Sequence, residues 1–431
     1  MKIVPPIAVF LVAMSSAMSA EPKDDTDALQ AAIDGAWRAG GGTVEVAAGE
    51  HLVRGLLLRS NVTLHLQAGA VLVGSRNADD YEVLKRETLQ PELAKIAPWR
   101  WANAIIRASG IENAAVIGEE GSVIDGRNCY DPQGEQKFRG PHGISAYGST
   151  NIVCRGCEMR NTGNWAHAFF DCRDLLFENI RVRAGHDGIH VRSCDNVRIL
   201  GCSLVCGDDC VAGCFNRDVV VRDCEFNTAC SAFRFGGTRV VVERCRAWGP
   251  GLHPLRCSLP EDVLKAGGDG DGLGRRNMLC FFTYFAVDGW PKREMQGGIE
   301  VRDCTVENVD RFFHFNLSGN DKWQSAHPLS DISFERVSAK GLKRSLCAFG
   351  HPEVTATLSF SDCSFAFDTP VTELMRGGNV RALALRDVKA TGVDGPAFRS
   401  WTEVPKTTFS GISGVAPEVV RETGAFASER F

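Results

Sequence analysis

Three carboxylates dominate the chemistry open to this chain: Asp187 in the run Gly185-His186-Asp187-Gly188-Ile189-His190, and the pair Asp208-Asp209 in Gly207-Asp208-Asp209-Cys210. Asp187 and Asp208 are 21 residues apart, close to a spacing that recurs through the surrounding sequence. If each period is one turn of a solenoid, the two segments lie on neighbouring rungs, roughly 4.8 Å apart, and the three acids share one small patch. Two charges ~5 Å apart at an effective dielectric of 20 repel by about 3 kcal/mol, or roughly two pKa units. At least one carboxyl is therefore expected to hold its proton near neutral pH. Glycoside hydrolysis needs that division: one acid protonates the leaving oxygen while another carboxylate activates water or attacks. Turn residues or an incidental calcium site would be the inert readings of the same cluster.

The elements that must position these acids follow from the repeat. Cys154, Phe177, Ile199, Val221 and Val242 recur in steps of 23, 22, 22 and 21 residues. Each has an apolar residue two positions earlier and another three positions later, at Cys157, Ile180, Cys202, Cys224 and Cys245. Further copies are Ile299/Val301/Cys304, Ile332/Phe334/Val337, Leu358/Phe360/Cys363 and Leu383/Leu385/Val388. Each copy reads as two short alternating strands about a turn, usually opened by Asn or Asp, with no helix between copies. Leucine-rich repeats share the period but need a different Leu and Asn framework. The expectation is an all-β fold, a single-stranded right-handed parallel β-helix.

Asp25-Thr26-Asp27 can cap a helix whose apolar positions are Leu29, Ile33 and Trp37, stopped by Gly40-Gly41-Gly42. Such a helix would cover the open end of the solenoid. The rhythm breaks near 76–104, 249–277 and 308–330, the last including His314, Asn316 and Trp323. These insertions are expected to wall a cleft on a rigid core. After about residue 390 the pattern fades into a polar tail.

The N-terminus, with Lys2, an apolar run and then small residues up to Ala20, reads as a signal peptide over residues 1–20. Its apolar run is short for a membrane span. A secreted or periplasmic protein is expected, with residues 21–431 forming one β-helix domain. The net charge of −5 gives no support to nucleic-acid binding, and 44% apolar residues suffice for a continuous core. Most of the 17 cysteines follow the repeat rather than a zinc pattern. Cys157, Cys202, Cys224 and Cys245 are expected to stack as a reduced interior ladder. No metal or cofactor is called for. The expected partner is a polysaccharide or oligosaccharide, and the protein is expected to be a monomer.

The stretches DDTDALQAAID, GGGTVEVAAGEH, VIDG at 123–126, NTGNW at 161–165, HDGIH and GDDC resemble the polygalacturonase family, glycoside hydrolase family 28, over most of residues 24–240. The family signature is N-T-D-G-I-D, then G-D-D-C one coil later, then G-H-G, then R-I-K. The resemblance implies a glycosidase that inverts the anomeric centre. Asp208 would be the general acid, and Asp187 with Asp209 would hold and deprotonate water. It also implies a disulfide between Cys210 and Cys230.

The departures bear on the substrate. His190 replaces the second Asp of the first motif, and Gly185-His186 replace its Asn-Thr. Ala229-Cys230-Ser231-Ala232-Phe233-Arg234-Phe235-Gly236 stands where G-H-G is expected, and an aromatic coil, Cys280 to Phe285, stands where R-I-K is expected. In Phe233-Arg234-Phe235 the rings should point inward and the guanidinium outward, beside the acids. Arg234 is thus a candidate grip for a sugar carboxylate, or a structural partner of Asp208 or Asp209. His186, Asn164 and Trp165 flank the acids as further substrate-binding candidates. Two alternatives stay open: a lyase or epimerase on the same fold using calcium, and an inactive carbohydrate-binding adhesin.

Overall fold

The structure, a computed structural model, describes residues 22–81, 99–268, 276–287, 295–317 and 327–424. Residues 1–20, expected as a signal peptide, and Trp323 lie outside the described residues. The chain winds into a right-handed parallel β-helix. Among the described residues, one sheet of 24 strands wraps two faces of the solenoid and a second sheet of 12 strands forms the third. The two faces of the larger sheet are joined through the long strands Val211–Arg222 and Ser231–Glu243, which bend between faces. The paired strands are parallel, coil on coil: Cys154 opposes Phe177, Phe177 opposes Ile199, and Ile199 opposes Val221.

The turns explain the Asn and Asp at the head of each repeat. Asn61, Asn113, Asn151, Asp174, Asn196 and Asp218 all have positive φ, from +54° to +63°, a conformation these two residue types tolerate best after glycine. Their side chains also bridge coils, with Asn151 donating to Asn113 at 2.9 Å and Asn113 donating to Asn61 at 3.1 Å. Inside, alternate residues form continuous apolar columns. Cys202, Cys224, Cys245 and Cys304 are buried, and each thiol donates to a carbonyl two residues earlier. Cys157 belongs to the same column, with Ile180 between it and Cys202.

Helix Thr26–Arg38 packs on the first coils and buries Leu29 and Ile33. Trp37 is exposed, with the Arg59 guanidinium over its ring at 5.5 Å, so the apolar face is two residues wide rather than three. Its first amide is met by Asp24 at 3.0 Å, and Asp25 makes no side-chain cap.

Two expectations about the later chain are corrected. Residues 309–316 are not an insertion: strand Val309–Asn316 sits in the stack between Met278–Tyr284 and Leu346–Phe349. Nor does the chain leave the solenoid after residue 390. Strands Pro396–Ser400, Lys406–Ser410 and Ala416–Arg421 continue the parallel ladders. The 249–277 insertion begins with a cis Gly249-Pro250 bond and carries a short helix, Glu261–Ala266. Leu259 and Leu264 of this insertion pack on Phe138, tying it to the loop that precedes strand His142–Tyr147.

Candidate active site

The three acids stand at one corner of the β-helix, where short strands of the third face hand over to the larger sheet. Asp187 lies between Arg181–Ala184 and Ile189–Arg192; Asp208 and Asp209 lie between Ser203–Cys206 and Val211–Arg222. Ala184 opposes Cys206 and Ile189 opposes Val211. Across this corner Asp187 therefore faces Asp209, while His186 faces Asp208. The Gly188 amide donates to the Asp209 carbonyl at 2.9 Å, which fixes the step between rungs.

Glycine precedes both acid segments because the 249–268 insertion lies directly on them. A Cβ at Gly185 would come within 2.1 Å of Arg256 Cγ, and one at Gly207 within 2.0 Å of the Pro254 carbonyl oxygen. Arg256 is buried there and donates to the Gly268 carbonyl at 2.9 Å. Lys265 pairs with Glu261, and Arg276 donates to the Ala229 carbonyl. In these positions the insertion's described cations serve the wall rather than the acids.

The acids differ in exposure. Asp187 and Asp209 are 4% and 2% exposed, whereas the Asp208 side chain is 17% exposed. Asp209 is held firmly: Oδ1 accepts the Ser231 amide at 3.1 Å, and Oδ2 faces Arg234 Nη1 at 3.8 Å. Burial first, then Asp208, pushes the Asp209 carboxyl up to about 6, against the pull of Arg234. Burial, then the charges of Asp208 and Asp209, hold Asp187 well above the usual carboxylate range, against Arg139 and Arg234. The cluster carries the perturbed ionisation that acid–base chemistry uses.

Arg234 lies outward between the buried rings of Phe233 and Phe235, with its side chain 26% exposed and its guanidinium 4.4 Å from the Phe285 ring centroid. Trp165 stacks face to face on His190, centroids 3.7 Å apart and planes 2° from parallel, so one of its faces is already covered. Asn164 and His186 are fully buried. Asn164 accepts from Arg139 at 3.1 Å and from the Trp165 amide at 3.0 Å. His186 stacks against Phe138, and burial keeps it neutral, well below its usual pKa. Both are closed off from solvent and present no surface of their own.

Arg139 escaped the sequence reading. It reaches Asp208 Oδ2 with Nη2 at 3.6 Å from the loop before strand His142–Tyr147, and it is nearly buried. The adjacent Phe138, an aromatic in a polar loop, is the one local hint, because that ring anchors the loop to the insertion. His190 was noted only as a departure from a motif. It hydrogen-bonds Asp187 Oδ2 through Nδ1 at 2.8 Å.

The implied disulfide is corrected. All 17 cysteines are free. Cys210 points into the core, where its thiol lies 3.5 Å from the Leu204 carbonyl oxygen and 3.6 Å from that of Asn227. Cys230 points to the other side of the wall, its sulfur within 4.8 Å of carboxylate oxygens of Asp208 and Asp209. Those three groups converge as a metal site would. A thiol beside two carboxylates suits a hard, oxygen-seeking cation such as calcium poorly, and Arg139 and Arg234 already bring positive charge to the same acids.

Residues 73–229 match the family model of the glycosyl hydrolases family 28. A probable polygalacturonase of Vitis vinifera is 30% identical over 183 residues, 40% of this chain and 37% of that relative. A polygalacturonase of Saccharomyces cerevisiae is 28% identical over 34% of its own length, so the chain matches well under half of either curated relative. Among solved structures, a polygalacturonase from Erwinia carotovora superposes with a TM-score of 0.58 at 16% identity, covering 92% of this chain and 95% of that one. A surface adhesin of Streptococcus pneumoniae superposes almost as well, with a TM-score of 0.56 at 12% identity and 88% of each chain covered, so the fold by itself does not decide activity. All three acids lie within the segment that matches, and over that segment the chain is similar to the glycosyl hydrolases of family 28.

Proposed function

We propose that the protein is a glycoside hydrolase that cleaves an anionic, uronic-acid-containing polysaccharide or oligosaccharide with inversion at the anomeric carbon. The observation that carries this reading is the difference among the three acids: one partly exposed, and two buried and opposed on adjacent rungs. Asp208, at the surface, gives its proton to the leaving glycosidic oxygen as the C–O bond breaks. Asp187 and Asp209 hold a water between them and take its proton as its oxygen bonds to the anomeric carbon. Arg234, half outward beside Asp209, grips the sugar carboxylate. The likeness of the acid-bearing segment to a probable polygalacturonase of Vitis vinifera supports a pectic substrate, and the missing third and fourth motifs support a substrate other than plain polygalacturonate.

The test is release of reducing ends from pectic, host-type and sulfated glycans by the wild type beside Asp208→Asn. Hydrolysis of at least one uronic-acid polymer, lost in the variant, supports the reading. Binding without release on the whole panel would make the protein a carbohydrate-binding β-helix instead.

A further inference from the structure

The pair His190 and Arg192 has no part in the mechanism above, yet it is built onto it. His190 Nδ1 lies 2.8 Å from Asp187 Oδ2, and Arg192 Nη2 lies 3.1 Å from His190 Nε2. A guanidinium only donates, so Nε2 must be the bare, accepting nitrogen and Nδ1 must carry the hydrogen. The ring orientation is set independently by Trp165, flat against it at 3.7 Å. His190 is 3% exposed, which leaves little room for water to exchange into these bonds.

We propose that His190 is a positioning residue: Arg192 selects its Nδ1–H tautomer, and that N–H donates to Oδ2 of Asp187, so that Oδ1 is left to face the attacking water. This rests on the hydrolase reading only in naming the water as what Oδ1 serves.

The fold contains a built-in comparison. Two residues before the paired positions Ile189, Val211 and Met375 stand Asp187, Asp209 and Glu373, in one column of the solenoid. The residue three positions after each is His190, Ala212 and Arg376. Arg376 donates from Nε to Glu373 at 2.7 Å. At Asp187 the same place holds a neutral imidazole, because burial first and then Arg192 push His190 well below its usual pKa. A histidine there gives a directed hydrogen bond without a salt bridge. The carboxylate stays oriented yet basic.

The groups that face Asp187 are His190 on its own coil, Asp208 and Asp209 on the next, Arg234 beyond them, and Arg139 from the loop. Removing the N–H takes away a bond that favours the ionised form, so Asp187 should titrate higher and the acid limb of activity should move to higher pH.

The first experiment needs no activity: nitrogen-15 NMR of the wild-type histidines across pH. The expected result is a neutral His190 with the proton on Nδ1 from neutral pH well into the acid range. An Nε2–H tautomer, or an imidazolium at neutral pH, would overturn the proposal. The second compares His190→Phe, which keeps the ring stack, with His190→Asn, which restores an N–H near Nδ1. At neutral pH kcat/KM should fall ~10- to 100-fold in His190→Phe with its acid limb displaced upward, and His190→Asn should recover most of it. Equal losses in two folded variants with unmoved limbs would overturn the role. If the wild type hydrolyses nothing while NMR finds Nδ1–H, the hydrolase reading fails and the tautomer assignment stands.

Discussion

Glu373 and the Asp187–Asp209 pair occupy the same column of the same solenoid, and their neighbours set them to opposite ends of the carboxylate range. Glu373 is fully buried but receives Arg376 from its own coil at 2.7 Å, Arg399 from the next coil at 2.9 Å, Thr372 at 2.6 Å and Ser345 at 3.2 Å. Burial pushes its carboxyl up, but Thr372, Arg376 and Arg399 outweigh that and leave it below the usual range. Asp209 has Ala212 in place of the first arginine and keeps the second, as Arg234, at 3.8 Å. Asp187 has His190 and Ala212 in the two places. In these two places the number of cations falls from two to one to none, and the pKa goes from below the usual range, to about 6, to well above the usual range. A buried carboxylate becomes structural when its coil saturates it, and chemical when the coil leaves it short.

The largest contrast is between activity and stability on substitution. Asp208→Asn should lower kcat by about 10²- to 10⁴-fold while leaving the fold intact, as judged by reducing-end release and thermal unfolding of one preparation. Glu373→Gln should do the reverse. It takes a fully buried carboxylate from Arg376 and Arg399, whose side chains are 24% and 26% exposed and the second of which keeps Glu422, and should cost about 1–3 kcal/mol of stability, read from the denaturant midpoint, with kcat/KM of the folded protein unchanged. A Glu373 variant that loses activity but not stability would break the comparison.

Next in size is Arg234, whose counterpart in the structural site is Arg399. Arg234→Ala should cost about 2–5 kcal/mol in transition-state binding on an anionic substrate, and much less on a neutral analogue. Equal losses on both would place Arg234 with Arg399, as a partner of its carboxylate and nothing more.

The pH responses should also oppose each other. Asp209 titrates at about 6 in the folded chain against 3.8 for an ordinary Asp, so folding binds the proton more tightly. Its ionisation costs stability above pH 6, and the cost of about 2–3 kcal/mol is relieved as pH falls through 6 toward 4. Asp209→Asn should therefore raise the unfolding midpoint at pH 7.5 and leave it unchanged near pH 4, while wild-type kcat/KM should climb through about pH 6. Glu373, held below its ordinary value, contributes stability above that value that is lost as pH falls through its folded pKa. Asp187→Asn should likewise raise the unfolding midpoint at neutral pH, at the expense of activity.

How much of this was legible in the sequence depended on range. The Asn and Asp turns, the cysteine column and the inward–outward alternation of Phe233-Arg234-Phe235 are local patterns of period two or of one coil, and they could be read directly. Strand Val309–Asn316 could not, because Phe312, Phe313 and Phe315 are all buried and the alternation disappears. The acid cluster was visible, but its pairing shifts by one residue: the spacing of Asp187 and Asp208 suggested partners, and the register opposes Asp187 to Asp209. Arg139 was out of reach because its position depends on Phe138 meeting Leu259 and Leu264 across two insertions. Glu373 carried no motif. Its meaning lies in Arg376 and Arg399, which become its neighbours only once the coils stack.

Whether Asp187 and Asp209 activate water for attack at a sugar carbon is read from the anomeric configuration of the first product. Proton NMR on a cleaved uronic-acid oligosaccharide, recorded before mutarotation, reads it. The newly formed reducing end should appear first as the anomer opposite to the bond that was cut. A retained anomer would mean that a carboxylate attacks the sugar directly, and an unsaturated end without a new hydroxyl would mean elimination; either would contradict attack by an activated water.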